Sequence, residues 1–132
     1  EEVFVGPIGM NSRTIIRYVH DAAKKTGFPF FESTDFPPSD HLSFARFDLQ
    51  DITISIVPKG DSERLIKYVQ NGYKPDSLDA PKVLGVMHTV DDRSNLISPA
   101  SLKMSYDFTR TLLLLLNEGR FLEPPKELLK KK

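Results

Sequence analysis

The chain has 132 residues, the length of one domain. Its 18 Lys and Arg balance 18 Asp and Glu, so the formal net charge is +0. That excludes the basic excess of an electrostatic nucleic-acid binder. There are no cysteines, which excludes disulfide scaffolds, cysteine zinc sites and thiol nucleophiles. The longest leucine run, Leu112 to Leu116, is too short to span a bilayer.

Val3-Phe4-Val5-Gly6 is predicted as a short buried strand ending at a Gly6-Pro7 turn. Asn11 or Ser12 is placed to cap a helix in which Ile15, Ile16, Val19, Ala22 and Ala23 repeat at helical spacing. Lys24 and Lys25 suit its C-terminal end and Gly27 stops it. Phe28 to Phe31 read as a second strand, at an edge or a strand start because of Pro29. A loop rich in Ser, Thr, Asp and Pro follows, from Glu32 to Asp40, and Leu42 to Arg46 fit one or two helical turns.

Ile52 to Val57 alternate and are β-branched, the clearest strand signal in the chain, and are expected in the sheet interior. Asp61 or Ser62 is placed to cap a short helix over Glu63 to Val69, and Asn71 to Lys82 read mostly as loop. Ser98 as cap and Pro99 at the first helical position open the last helix. Leu102, Tyr106, Leu113 and the run Leu112 to Leu116 supply its apolar stripe, and Asn117 to Gly119 end it. Residues 1–132 are expected to form a single unit, with 123–132 as a tail. Alternating strands and helices point to an α/β fold with a mostly parallel sheet. Three strands are few for such a sheet, and the first residue is Glu1 rather than Met. Both suggest part of a larger domain.

The three histidines are the first candidates for chemistry. His20 lies on the first helix and reads as an exposed helical residue. Ser39-Asp40-His41 ends the Pro-rich loop, and two readings stand. Ser39 or Asp40 caps the following helix, or the loop brings a carboxylate and an imidazole to a site. His88-Thr89-Val90-Asp91-Asp92 leaves the apolar segment Val83 to Met87 and enters an acidic turn. It reads as a surface turn, or as a metal ligand whose other ring nitrogen a carboxylate orients. The stretch from Pro58 to Met87 is long for a structureless loop and suggests an excursion near a site. No phosphate-binding loop, dinucleotide fingerprint, nucleophile elbow or His-Glu-x-x-His helix occurs.

Taken together, Ser39-Asp40-His41-x-x-Phe44, the strand after it, His88-Thr89-Val90-Asp91-Asp92 and the long apolar helix from Pro99 resemble the co-catalytic zinc aminopeptidases. That family also holds glutaminyl cyclases and glutamate carboxypeptidases. Gly72 to Pro81 is similar to bacterial members, and the resemblance covers nearly the whole chain. It implies the C-terminal portion of a mostly parallel, three-layer α/β/α zinc-exopeptidase fold of the phosphorylase/hydrolase-like kind.

In function, the resemblance implies a metal-dependent exopeptidase, an aminopeptidase that hydrolyses N-terminal peptide bonds with a water activated by two zinc ions. His88 corresponds to a ligand of one zinc. Ser39, Asp40, His41, Asp91 and Asp92 correspond to positions behind the ligands or around the substrate pocket. The family's remaining ligands, a His-x-Asp pair, a Glu-Glu pair whose first member is the general base, and a later Asp, have no match. No His-x-Asp occurs, and Glu1-Glu2 runs straight into the first strand with no room for the later Asp. The chain alone is therefore expected to hold neither zinc ion and to be inactive. The expected partners are a peptide substrate, the missing N-terminal half of the domain and further copies of the chain, with no nucleic acid and no membrane span. Two alternatives stand beside this: a non-catalytic, receptor-like interaction domain of the same fold, and a glutaminyl cyclase. Export of many bacterial relatives points to the cell envelope or the exterior.

Overall fold

A computed structural model describes residues 1–9, 12–74 and 81–119. Among the described residues, three strands form one sheet. β1, Glu2–Gly6, is central, with β2, Phe30–Glu32, on one side and β3, Thr53–Val57, on the other. β1 and β2 run parallel, with Val3 beside Phe30 and Val5 beside Glu32. β1 and β3 run antiparallel, with Glu2 beside Val57 and Gly6 beside Thr53.

The sheet is thus mixed rather than mostly parallel, and the connections explain it. Helix α1, Ile15–Thr26, has 12 residues and is about 18 Å long, enough to return the chain to the start of the sheet. Helix α2, His41–Ala45, has only 5 residues, about 7.5 Å. It cannot carry the chain back, so β3 begins where β2 ends, beside Gly6, and runs the other way. β3 therefore pairs on one side only among the described residues, and β1 occupies the interior position that was expected of Ile52 to Val57.

β1 alternates between two faces, and helices lie on both. Val3 and Val5 pack with Val19 and Ala22 of α1 and with Phe108 and Leu112 of α5, Pro99–Glu118. Phe4 faces the other way and packs with Val57 of β3 and Leu65 of α3, Asp61–Gln70. Helix α4, Lys82–Val86, and a single 3₁₀ turn, Ser94–Leu96, lie between α3 and α5. The stripe that α5 buries is Phe108 and Leu112, with Met104, Leu115 and Leu116 partly covered. Leu102, Tyr106 and Leu113 face outwards instead.

The caps come from near and far. Ser98 Oγ accepts from the N–H groups of Ala100 and Ser101, and Gly27 closes α1 at φ 67°. The start of α1 is held from a distance: Gln50 Oε1 accepts from the N–H groups of Thr14 and Ile15, both at 3.1 Å. At α3, neither Asp61 nor Ser62 is the cap. The buried carboxylate of Glu2 accepts from the N–H groups of Gly60 and Ser62, at 3.0 and 3.2 Å. At the far end of α5 the Tyr18 hydroxyl donates to the Gly119 carbonyl, and a Cβ on Gly119 would collide with the Tyr18 ring. Tail residues 123–132 and most of the Gly72 to Pro81 stretch lie outside the described residues, as does Asn11.

Candidate functional site

The loop after β2 is fastened to the end of β1. The Ser33 N–H donates to the Val5 carbonyl, and the Ile8 N–H donates to the Ser33 carbonyl. Asp35 is held from α3 by Gln70 Nε2 at 2.7 Å. Phe36 then stacks on Phe4, centroids 4.8 Å apart, and lies against Gly6 so closely that a Cβ there would overlap its ring. Glycine at position 6 is thus a steric requirement for seating Phe36. Pro37 and Pro38 lead from this anchor to Ser39 and Asp40. The Asp40 side chain makes no cap bond to α2; main-chain turns from Ser39 and Asp40 start that helix. The capping reading is therefore set aside for these two side chains.

His41 goes elsewhere. It is 8 % exposed, its ring lies edge-on to Phe36 at 6.1 Å, and its Nδ1 has no hydrogen-bond partner among the described residues. It lines a neighbouring hollow with Phe44, Gln50 and Asp51, which Ser39 and Asp40 line as well. His20, on the far side of α1, bonds Glu32 at 2.6 Å and takes no part in either hollow.

The second motif forms a self-wired turn. α4 ends at Val86, whose carbonyl accepts from both the N–H and the hydroxyl of Thr89. The Asp92 carboxylate accepts from the main-chain N–H of His88 at 2.9 Å, and the Asp92 N–H returns to the Thr89 carbonyl. His88 itself sits at φ 64°, a left-handed conformation that a side chain other than glycine adopts at a cost. The spacing of His-Thr-x-x-Asp thus has a local meaning: Thr89 and Asp92 hold the backbone that presents His88. Asp92 bonds the main chain of His88 and not its imidazole. Asp91 points away, 3.8 Å from Arg93.

The two motifs meet across a cleft of about 640 Å³ between the Pro-rich loop and the end of α4. Ser39 and Asp40 line one side and Met87 and His88 the other, over a floor that includes Phe4, Ile56, Val57 and Leu65. Of the six residues singled out in the sequence, Ser39, Asp40 and His88 share this cleft; His41, Asp91 and Asp92 do not line it. Phe36, Pro37, Pro38, Leu84 and Met87 also line it and were not singled out. Their signal was present in the Phe-Pro-Pro run before Ser39 and in the apolar segment before His88. Among the described residues, no three His, Asp or Glu side chains come together as a metal site.

No protein-family model matches the chain, and no curated protein and no solved structure matches it either. No helix among the described residues is long and apolar enough to cross a membrane.

Proposed function

We propose that the chain forms one wall of the active cleft of a zinc-dependent exopeptidase of the aminopeptidase type, in an α/β/α domain completed by residues outside this sequence. His88 donates a ring nitrogen to one metal ion, and Ser39 and Asp40 border the bound peptide. The observation that carries this reading is the common cleft. Ser39-Asp40 and His88 are far apart in sequence, lie on separate elements and line one concave surface. The local wiring supports it further: Asp92 and Thr89 hold His88 in a left-handed turn, a conformation more often kept for a task than for stability.

The reading asks nothing of zinc chemistry from this chain beyond that ligand. Its own residues present an imidazole, a carboxylate and the hydroxyls of Ser39, Thr53 and Ser55 among apolar side chains, a lining that binds and orients a peptide end. The remaining ligands and the general base come from elsewhere in the domain.

The test is His88→Asn in the intact gene product. Asparagine tolerates the left-handed backbone, so the turn is kept while the imidazole is lost. Zinc content should fall by one ion per chain, and release of N-terminal residues from peptides should drop by about 100-fold or more. Unchanged zinc and turnover would overturn the reading. A folded protein without zinc or peptidase activity in either form would favour a non-catalytic interaction domain. Conversion of N-terminal glutamine in place of hydrolysis would favour a cyclase.

A further inference from the structure

We propose that the hollow between α2 and the start of β3 binds a guanidinium group. His41 and Asp51 both line it. Each keeps a covered polar atom that pairs with nothing among the described residues: Nδ1 of the imidazole and Oδ2 of the carboxylate. His41 as a whole is only 8 % exposed. A covered acceptor without a donor costs free energy, and a carboxylate oxygen costs more than most. Two such atoms on residues of one lining mark a place that a donor completes. Both stand at the end of side chains whose last torsion is broad, so a turn of the ring or the carboxylate brings them to an entering group.

The lining says which donor. Ionised Asp40 and Asp51 only accept, the hydroxyls of Ser39 and Thr53 accept as well, and a neutral imidazole protonated on Nε2 accepts at Nδ1. The ligand therefore brings N–H groups, and the two carboxylates favour a positive charge on it. These acceptors do not converge on one point: among the described residues, no three His, Asp or Glu side chains gather closely enough for a metal ion. A guanidinium meets spread acceptors, because its five N–H donors fan out in a plane. Phe44 lines the same hollow and offers an aromatic ring on which such a plane stacks. An ammonium, a compact and strongly hydrated point charge, gains less from either feature. The volume, about 460 Å³, has room for the guanidinium and the methylenes that carry it. Ser39 and Asp40 line both this hollow and the cleft beside His88. The group is thus carried by a small molecule or by an arginine of a peptide lying along that loop. The inference does not need the exopeptidase reading, because binding alone decides it.

The experiment titrates the full chain with agmatine, with acetyl-Gly-Arg-Gly-amide, and with the same peptide carrying citrulline, which keeps the shape and loses the charge. The methyl signals of Ile15, Ile52 and Ile54 and the ring signals of His41 are followed by NMR. Agmatine and the arginine peptide should shift them at millimolar concentrations. The citrulline peptide should bind at least about tenfold more weakly. Asp51→Asn should weaken both guanidinium ligands by about tenfold. Asp40→Asn, at an exposed position, should weaken them too and carries the test if Asp51→Asn does not fold. Equal affinity for agmatine and the arginine peptide supports a site for a free guanidinium compound, and tighter binding of the peptide supports a site for an arginine side chain. Citrulline bound as tightly as arginine, shifts confined to another surface, or unchanged affinity in a folded Asp51→Asn chain would each overturn the inference. So would no shift with any probe, the mark of a hollow that holds only water.

Discussion

Glu2 performs at the start of α3 the task that a serine or aspartate usually performs locally. Its carboxylate takes the N–H groups of Gly60 and Ser62, and the positive end of the helix offsets the cost of burying its charge. Glu2→Ala should destabilise the chain by about 1–2 kcal/mol in urea unfolding, with Glu2→Gln falling in between. A loss within error would mean that water replaces the carboxylate at no cost. The sequence could not show this cap, because the bond joins residues at opposite ends of β1 and β3. Gln50 at the start of α1 is the same case. Ser98, by contrast, was legible: its cap is local, and Pro99 beside it repeats the message. The same division runs through the site. The hydroxyl and carboxylate of the His88 turn act locally and follow from the motif spacing, whereas the meeting of Asp40 with His88 depends on how the chain returns across the sheet.

At the scale of elements, α5 carries two apolar stripes of the same helical period. Met104, Phe108, Leu112 and Leu115 follow one helical stripe, and Leu102, Tyr106 and Leu113 follow another. The period fixes that the segment is a helix but not which stripe meets the sheet. Packing decides: Phe108 stacks against Phe30 and reaches Val3 and Val5 between α1 and the sheet. Phe108→Ala should therefore cost about 3–5 kcal/mol in chemical denaturation. Leu113→Ala, on the outward stripe, should change stability by no more than about 0.5 kcal/mol. A reversed order would show that α5 is rotated about its axis. The three strands, α1 and α5 were legible from alternation and spacing. The sense of β3 was not, since it follows from the shortness of α2. Nor was α4, because Val83 to Met87 is too short for a helical period to emerge from an apolar run.

For the molecule as a whole, the outward surfaces matter most. Phe44 and Phe47 near α2 and Leu102, Tyr106 and Leu113 on α5 are all more than half exposed. Apolar surface of this extent marks a face that associates. With 18 charges of each sign, no net repulsion keeps copies of the chain apart. Sedimentation of the chain at neutral pH should show mass rising with concentration, and Leu113→Glu with Tyr106→Glu should reduce that rise. A concentration-independent monomer would show that these faces need no cover.

The central claim is that the Ser39-Asp40 loop and the His88 turn are two sides of one metal-dependent site. Anomalous diffraction at the zinc edge from crystals of the intact gene product tests it most directly. The expected result is a peak inside the cleft, about 2.0–2.1 Å from a ring nitrogen of His88. Zinc bound elsewhere, with the His88 imidazole free in its turn, would contradict it.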